Sequence, residues 1–163
     1  MPTATRGATA IEVAAAPDVV YALVTDIARI GERSPECCDA EWLDGATGAV
    51  VGARFRGRNR MGPVGWSTTC VVTVADPGRE FVFTVVGANG REQTLWRYAI
   101  EPTRTGCRLT ESYEFLWCPI ATRAAELPFP RDRQLRRGIQ RTVEAIKRTA
   151  EERDATHRQL RRQ

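Results

Sequence analysis

The chain of 163 residues has a single histidine, and that scarcity removes several kinds of chemistry at once. His157 sits in a polar C-terminal stretch, far from any serine or cysteine that needs a base, so no Ser-His-Asp set and no HExxH pair is present. The Gly-rich phosphate loop of nucleotide-binding proteins is also missing. Nucleotide-dependent enzymes, metalloproteases and hydrolases of these types are disfavoured, and no cofactor is expected. Five cysteines (Cys37, Cys38, Cys70, Cys107, Cys118) make an odd number without a CxxC spacing, and the adjacent pair is poorly placed to bond to itself. A zinc site would have to be gathered from scattered thiols, so no metal is expected. No apolar run approaches the roughly 18 residues that a membrane span needs. Residues 1–10 lack a basic segment followed by an apolar core, so no secretory signal is expected there and the cytoplasm is the expected compartment.

What is present reads as one globular domain. An apolar fraction of 42% with four Trp, three Tyr and five Phe is ordinary for such a chain, which should bury roughly 70% of its unfolded surface. The net charge of +4 is unevenly spread. Residues 131–163 hold eleven Arg/Lys against five Asp/Glu, a balance of +6, while the first 130 hold thirteen against fifteen. A basic end of this kind can touch nucleic acid or anionic lipid. No base-stacking or recognition-helix motif accompanies it, so a solvated helix face with a frayed tail is preferred and nucleic acid is not an expected partner.

The strongest periodic signal lies in that basic end. Leu135, Ile139, Val143, Ile146 and Ala150 recur at helical spacing over 131–150, with Arg, Gln, Glu and Lys between them. Such a helix needs an apolar surface to lie on. Upstream, Ala8–Ala14 reads as a strand. Pro17 and Asp18 then suit the first turn of a helix bearing Val19, Val20, Leu23, Val24 and Ile27. Asp26 is expected to cap a second short helix, Ile27–Arg33, ending before Ser34-Pro35. From Asp39 onward the period becomes two. Short strands follow at 39–43, 52–60, 66–74, 80–86, from about 94 and from about 107, punctuated by Asp44-Gly45, Gly62-Pro63, Asp76-Pro77-Gly78, Asn89-Gly90 and Thr105-Gly106. Pro119, Pro128 and Pro130 bracket a loop or short helical piece before the long helix. One strand, two short helices, six strands at hairpin spacing and one long helix imply an α+β domain with an antiparallel sheet.

This order resembles the START-like, or SRPBCC, helix-grip superfamily, and within it the polyketide cyclase/dehydrase-type branch. The stretches carrying the resemblance are APDVVYALVTDIARIGERSPEC (16–37), GARFRGRNRMGPVGW (52–66), ADPGREFVF (75–83) and TLWRYAIEPTRTGCRLTESYEF (94–115). The resemblance implies a curved sheet of about seven strands gripping the long helix around an elongated pocket for an apolar ligand. On that reading residues 8–150 form one ligand-binding domain and 151–163 a polar basic tail. The ligand and the oligomeric state are not specified by it, since one fold hosts many activities.

Strand parity places Phe55, Phe81, Phe83, Trp96, Tyr98, Tyr113, Phe115 and, at the margin, Trp117 on the inner face. Five modest helix residues cannot cover that many rings, so the rings either pack solidly or line a cavity. The resemblance favours the cavity, with Ile139 and Val143 on the helix side and Trp66 as a wall or loop anchor. Glu111 shares the inner parity. A buried carboxylate must be paired or take up a proton, so it is either a structural group bonded to a neighbouring strand or a group that orients a ligand carbonyl or exchanges a proton. Asn59 can donate to a ligand oxygen at the mouth or simply form the turn before Gly62-Pro63. Ser34, Glu36, Cys37 and Cys38 border the opening, but no base is available to activate a thiol. Arg54, Arg56, Arg58 and Arg60 fall on the outer parity and read as a solvated strand face. Two functions are consistent with this pattern. The first is a binder of a hydrophobic, lipid- or polyketide-like molecule. The second is a cyclase/dehydrase that folds its substrate in the same cavity, removes a proton from an acidic methylene and stabilises the enolate.

Overall fold

The computed structural model describes residues 6–117 and 131–162. Strands β1 (Arg6–Val13), β2 (Cys37–Trp42), β3 (Arg54–Met61), β4 (Val64–Asp76), β5 (Glu80–Val86), β6 (Glu92–Thr103) and β7 (Gly106–Phe115) form one sheet. Its order is β1-β7-β6-β5-β4-β3-β2, and every pairing is antiparallel. Helix α1 (Pro17–Thr25) and a 3-10 helix (Ile27–Glu32) link β1 to β2, and the long helix α2 (Arg131–Leu160) closes the chain. This is the α+β helix-grip arrangement. Register shifts at Cys37/Asp39, Val72/Val74 and Val85/Val86 add local twist and bend the sheet around the helix. The Pro119, Pro128 and Pro130 segment lies outside the described residues.

The α2 stripe is buried as its period requires: Leu135, Ile139, Val143, Ile146 and Ala150 are each at most 4% exposed. Each of the larger side chains contributes roughly 1.5–3 kcal/mol by leaving water. The helix does not fray at Ala150. It runs ten residues further because its polar residues are tied to the β1–α1 junction. The Lys147 Nζ donates to the Glu12 carbonyl at 2.8 Å, the Ala14 amide donates to Glu151 Oε1 at 2.9 Å, and the Ala16 amide lies 3.5 Å from Asp154 Oδ1. Ala16 is the N-cap of α1 and has no side chain able to cap, so the Asp154 carboxylate supplies negative charge at that helix start. Part of the basic excess is also paired within α2, through Arg136–Asp132, Lys147–Glu151 and Arg158–Asp154.

Two local expectations are corrected. Asp26 makes no side-chain cap, and the following segment is 3-10 rather than α, with Arg29 outside helical geometry. The end of α1 is secured instead by Arg33, 7% exposed, whose guanidinium donates to the Leu23 and Asp26 carbonyls at 2.9 and 2.8 Å. A cation on the last carbonyls of a helix satisfies groups that would otherwise be orphaned. The 3-10 helix also approaches β2 so closely that a Cβ on Gly31 would lie 1.8 Å from the Cys38 carbonyl oxygen. On the outer face the arginine row is exposed as expected, and three of its members meet carboxylates: Arg54–Asp44, Arg56–Glu41 and Arg58–Asp39.

Candidate functional site

The apolar interior is divided. One cluster joins α1, the lower half of α2 and the sheet centre, through Val20, Leu23, Ile27, Phe81, Ile100, Leu109, Val143 and Ile146. A smaller one gathers Tyr113, Leu135 and Ile139 with Trp96 and Phe115 against them. A cavity of about 330 Å³ is walled by members of both. Glycine and small polar residues on α2 leave the room: Gly138 and Thr142 stand where large side chains would meet the sheet. Gly57 does the same on β3, where a Cβ would already lie 3.2 Å from Thr68 Oγ1 and 3.3 Å from Cys37 Sγ.

Phe55, Asn59, Phe83, Trp96, Tyr98, Glu111, Phe115 and Ile139, all expected from strand or helix parity, line the cavity, as does Trp66, for which sequence allows both a wall and a loop anchor. Phe81, Tyr113 and Val143 do not. Phe81 and Val143 sit in the solid cluster at 0% exposure, because α1 fills the space between sheet and helix at that end. Tyr113 is turned away: its ring lies against the glycine opposite it, Gly7, and its hydroxyl donates to Asp132 Oδ1 at 2.8 Å. Trp117 lies beyond the end of β7 and outside the cavity, with the Arg91 guanidinium 4.8 Å above its ring. Asn59 is in β3 opposite Trp66 and not in the turn, and it donates to Thr68 Oγ1 at 3.2 Å.

Glu111 is the chemical centre of the cavity wall. It pairs across β6–β7 with Tyr98, whose hydroxyl donates to Oε1 at 2.9 Å. Glu111 is 3% exposed, and Oε2 has no hydrogen-bond partner among the described residues. Burial raises its pKa to about 8, only partly countered by the Tyr98 hydrogen bond, so the group holds its proton at neutral pH. Tyr98 is pushed well above the ordinary tyrosine value, by burial first and by Glu111 second. The thiols facing the same space are inert as nucleophiles: burial raises Cys37 to about 11 and Cys70 to about 12.

The mouth was only partly readable from sequence. Glu36, already suspected of bordering the opening, is gripped by Arg131 through two bonds of 2.8 and 2.6 Å, and the Arg131 guanidinium lies 5.6 Å from the centre of the Trp66 ring. Nothing in sequence spacing joins residues 36, 66 and 131. Thr142 and Gly138 were missed for a different reason: on a helix wheel they flank the stripe, and a small residue beside a stripe is the available sign of a hollow. Among the described residues no three potential ligands gather for a metal, and no helix is long and apolar enough to cross a membrane.

Comparison with known proteins agrees with this geometry. A polyketide-cyclase-like protein of Corynebacterium glutamicum, solved in solution, is 37% identical over 91% of this chain and 93% of its own, with a TM-score of 0.62. The di-domain ARO/CYC protein StfQ of the steffimycin biosynthetic pathway superposes with a TM-score of 0.73 at 18% identity, over 91% of this chain and 51% of its own. A protein of Mesorhizobium loti superposes with a TM-score of 0.62 at 16% identity, over 88% and 94%. The last two likenesses are of fold alone. No curated protein matches the chain. Residues 4–151 match the profile of one family, and on that match and the 37% identical relative the chain belongs to the polyketide cyclase / dehydrase and lipid transport family.

Proposed function

We propose that the protein binds a hydrophobic small molecule between its sheet and α2. The observation carrying this reading is the cavity itself: about 330 Å³, with Phe55, Phe83, Trp96 and Phe115 in its wall beside polar side chains such as Asn59, Gln93 and Glu111. That volume falls at the small end of the roughly 300–1,000 Å³ typical of ligand sites, where aromatic side chains bury the ligand and placed polar groups orient it. Native mass spectrometry of the purified protein, followed by solvent extraction, tests it. A co-purifying apolar compound is the expected result. A protein that carries nothing and whose Trp fluorescence is unaffected by apolar aromatic compounds is the result that refutes it. Gly138→Leu fills the cavity from α2, where a Cβ meets only Pro35 at 3.8 Å, and should abolish uptake in a folded protein.

A cyclase/dehydrase is the second reading, favoured by one observation: Tyr98 and Glu111 place two proton-bearing groups together in the wall. Since Glu111 is protonated at neutral pH, its part would be that of an acid towards a substrate oxygen, and removal of a methylene proton would require its ionised form above about pH 8. Turnover of the extracted compound, lost in Glu111→Gln, is the measurement that would establish this reading over simple binding.

A further inference from the structure

We propose that the cavity takes an uncharged ligand and receives the carbonyl oxygen of that ligand on the carboxyl group of Glu111. The inference rests on the binding reading above and specifies the ligand class. Its ground is the hydrogen-bond accounting around one side chain. The Tyr98 hydroxyl has a single hydrogen and gives it to Oε1. Oε2 is buried and has no partner among the described residues. A buried carboxylate with one neutral donor is poorly solvated, and a proton removes that penalty. With Oε1 accepting from Tyr98, the proton belongs on Oε2. Glu111 lines the cavity with this O–H buried and lacking an acceptor, and a ligand oxygen reaching it is the group that would satisfy it.

The surrounding charges argue against the other head groups. Arg33 and Cys37 act on Tyr98 from behind the 3-10 helix and from β2, and no cation pairs with Glu111 among the described residues. The Arg33 guanidinium is committed to the Leu23 and Asp26 carbonyls. Arg131, a cation in the cavity lining, is committed to Glu36. An anionic head group beside Glu111 would find no free positive charge there. An ammonium group would meet a neutral acid in place of a counter-charge at Glu111.

Three compounds of one skeleton test the assignment: 1-acetylnaphthalene, 1-ethylnaphthalene and 1-(1-naphthyl)ethylamine, titrated into the purified protein at pH 6 with Trp fluorescence and calorimetry as readouts. The ketone should bind about tenfold more tightly than the hydrocarbon, the worth of one buried hydrogen bond to a group otherwise unsatisfied, and the amine most weakly. Glu111→Gln keeps an N–H donor and should keep the preference for the ketone. Glu111→Leu should bind ketone and hydrocarbon alike. Equal binding of ketone and hydrocarbon by the unmodified protein, or tightest binding of the amine, overturns the assignment while leaving the cavity reading intact. Failure of all three to bind overturns both.

Discussion

The two halves of α2 face the same sheet with opposite results. From Val143 to Ala150 the helix lies on α1 and the sheet centre, and the interior is solid: Val20, Leu23, Phe81, Val143 and Ala150 are all wholly buried. From Leu135 to Thr142 no second helix intervenes among the described residues, and the gap between helix and sheet becomes the cavity. The sheet residues differ little between the halves; both ends present aromatic rings. What differs is the filling. Where α1 is interposed the interior is solid, and that end supplies the stability that the hollow end gives up.

Core truncation should break that contrast most visibly. Phe81→Ala in the solid half is expected to cost about 3–5 kcal/mol in urea unfolding, because neighbours on all sides hold the void open. Phe115→Ala in the half-buried cavity wall should cost about 1–2 kcal/mol, since its surroundings already include free space. Similar losses at both sites would mean that the halves are equally packed. Comparable in size is the pH dependence from the hollow half. Glu111 has a folded-state pKa of about 8 against an ordinary value of 4.5. Between those values the native state holds a proton that the unfolded chain has released. Its stabilising contribution is full below about pH 4.5, falls by about 1.4 kcal/mol per pH unit as the pH rises, and is gone above about pH 8. Glu111→Gln should flatten that slope in urea titrations at pH 5, 7 and 9.

A smaller effect concerns the anchoring of the solid half. Asp154→Ala removes the carboxylate at the start of α1 and its bond to Arg158, and should lower stability by about 1 kcal/mol in thermal unfolding. The smallest expected change in stability is also the sharpest for function. Gly138→Leu should alter unfolding by no more than about 1 kcal/mol, as better helix propensity offsets any crowding. Loss of ligand uptake with unchanged stability would separate the two halves cleanly.

The fold was readable because its determinants are local. The period of 3.6 in 131–150 and the alternation in 52–60 and 80–86 each reflect one face meeting apolar surroundings, and turn pairs such as Asn89-Gly90 separate them. Wall residues on strands were mostly readable for the same reason. Phe81, Tyr113 and Val143 were not distinguishable from them, since parity states which face a residue occupies and not what lies opposite. For Phe81 and Val143 the answer depends on how far α1 reaches, and for Tyr113 on a glycine about a hundred residues earlier. The Glu36–Arg131–Trp66 contact at the mouth joins three distant segments and leaves no periodic trace. The helical stretch 151–160 shows a related limit. Its polar residues look solvated in sequence, yet Glu151 and Asp154 are held by backbone amides of another element.

The position of β1 has a kinetic consequence. Among the described residues its only strand partner is β7, with Arg6 opposite Glu114 and Val13 opposite Cys107. Among the described strands the first to be synthesised must wait for the last, whereas β2 to β7 can pair in order as hairpins. Closing so long a loop is slow, and until it closes β7 presents a bare edge to other chains. Nascent chains should therefore be most prone to aggregate in the interval after β7 has paired with β6 and before β1 has docked, and a segment that lengthens that interval should lower the yield of folded protein without altering its final stability.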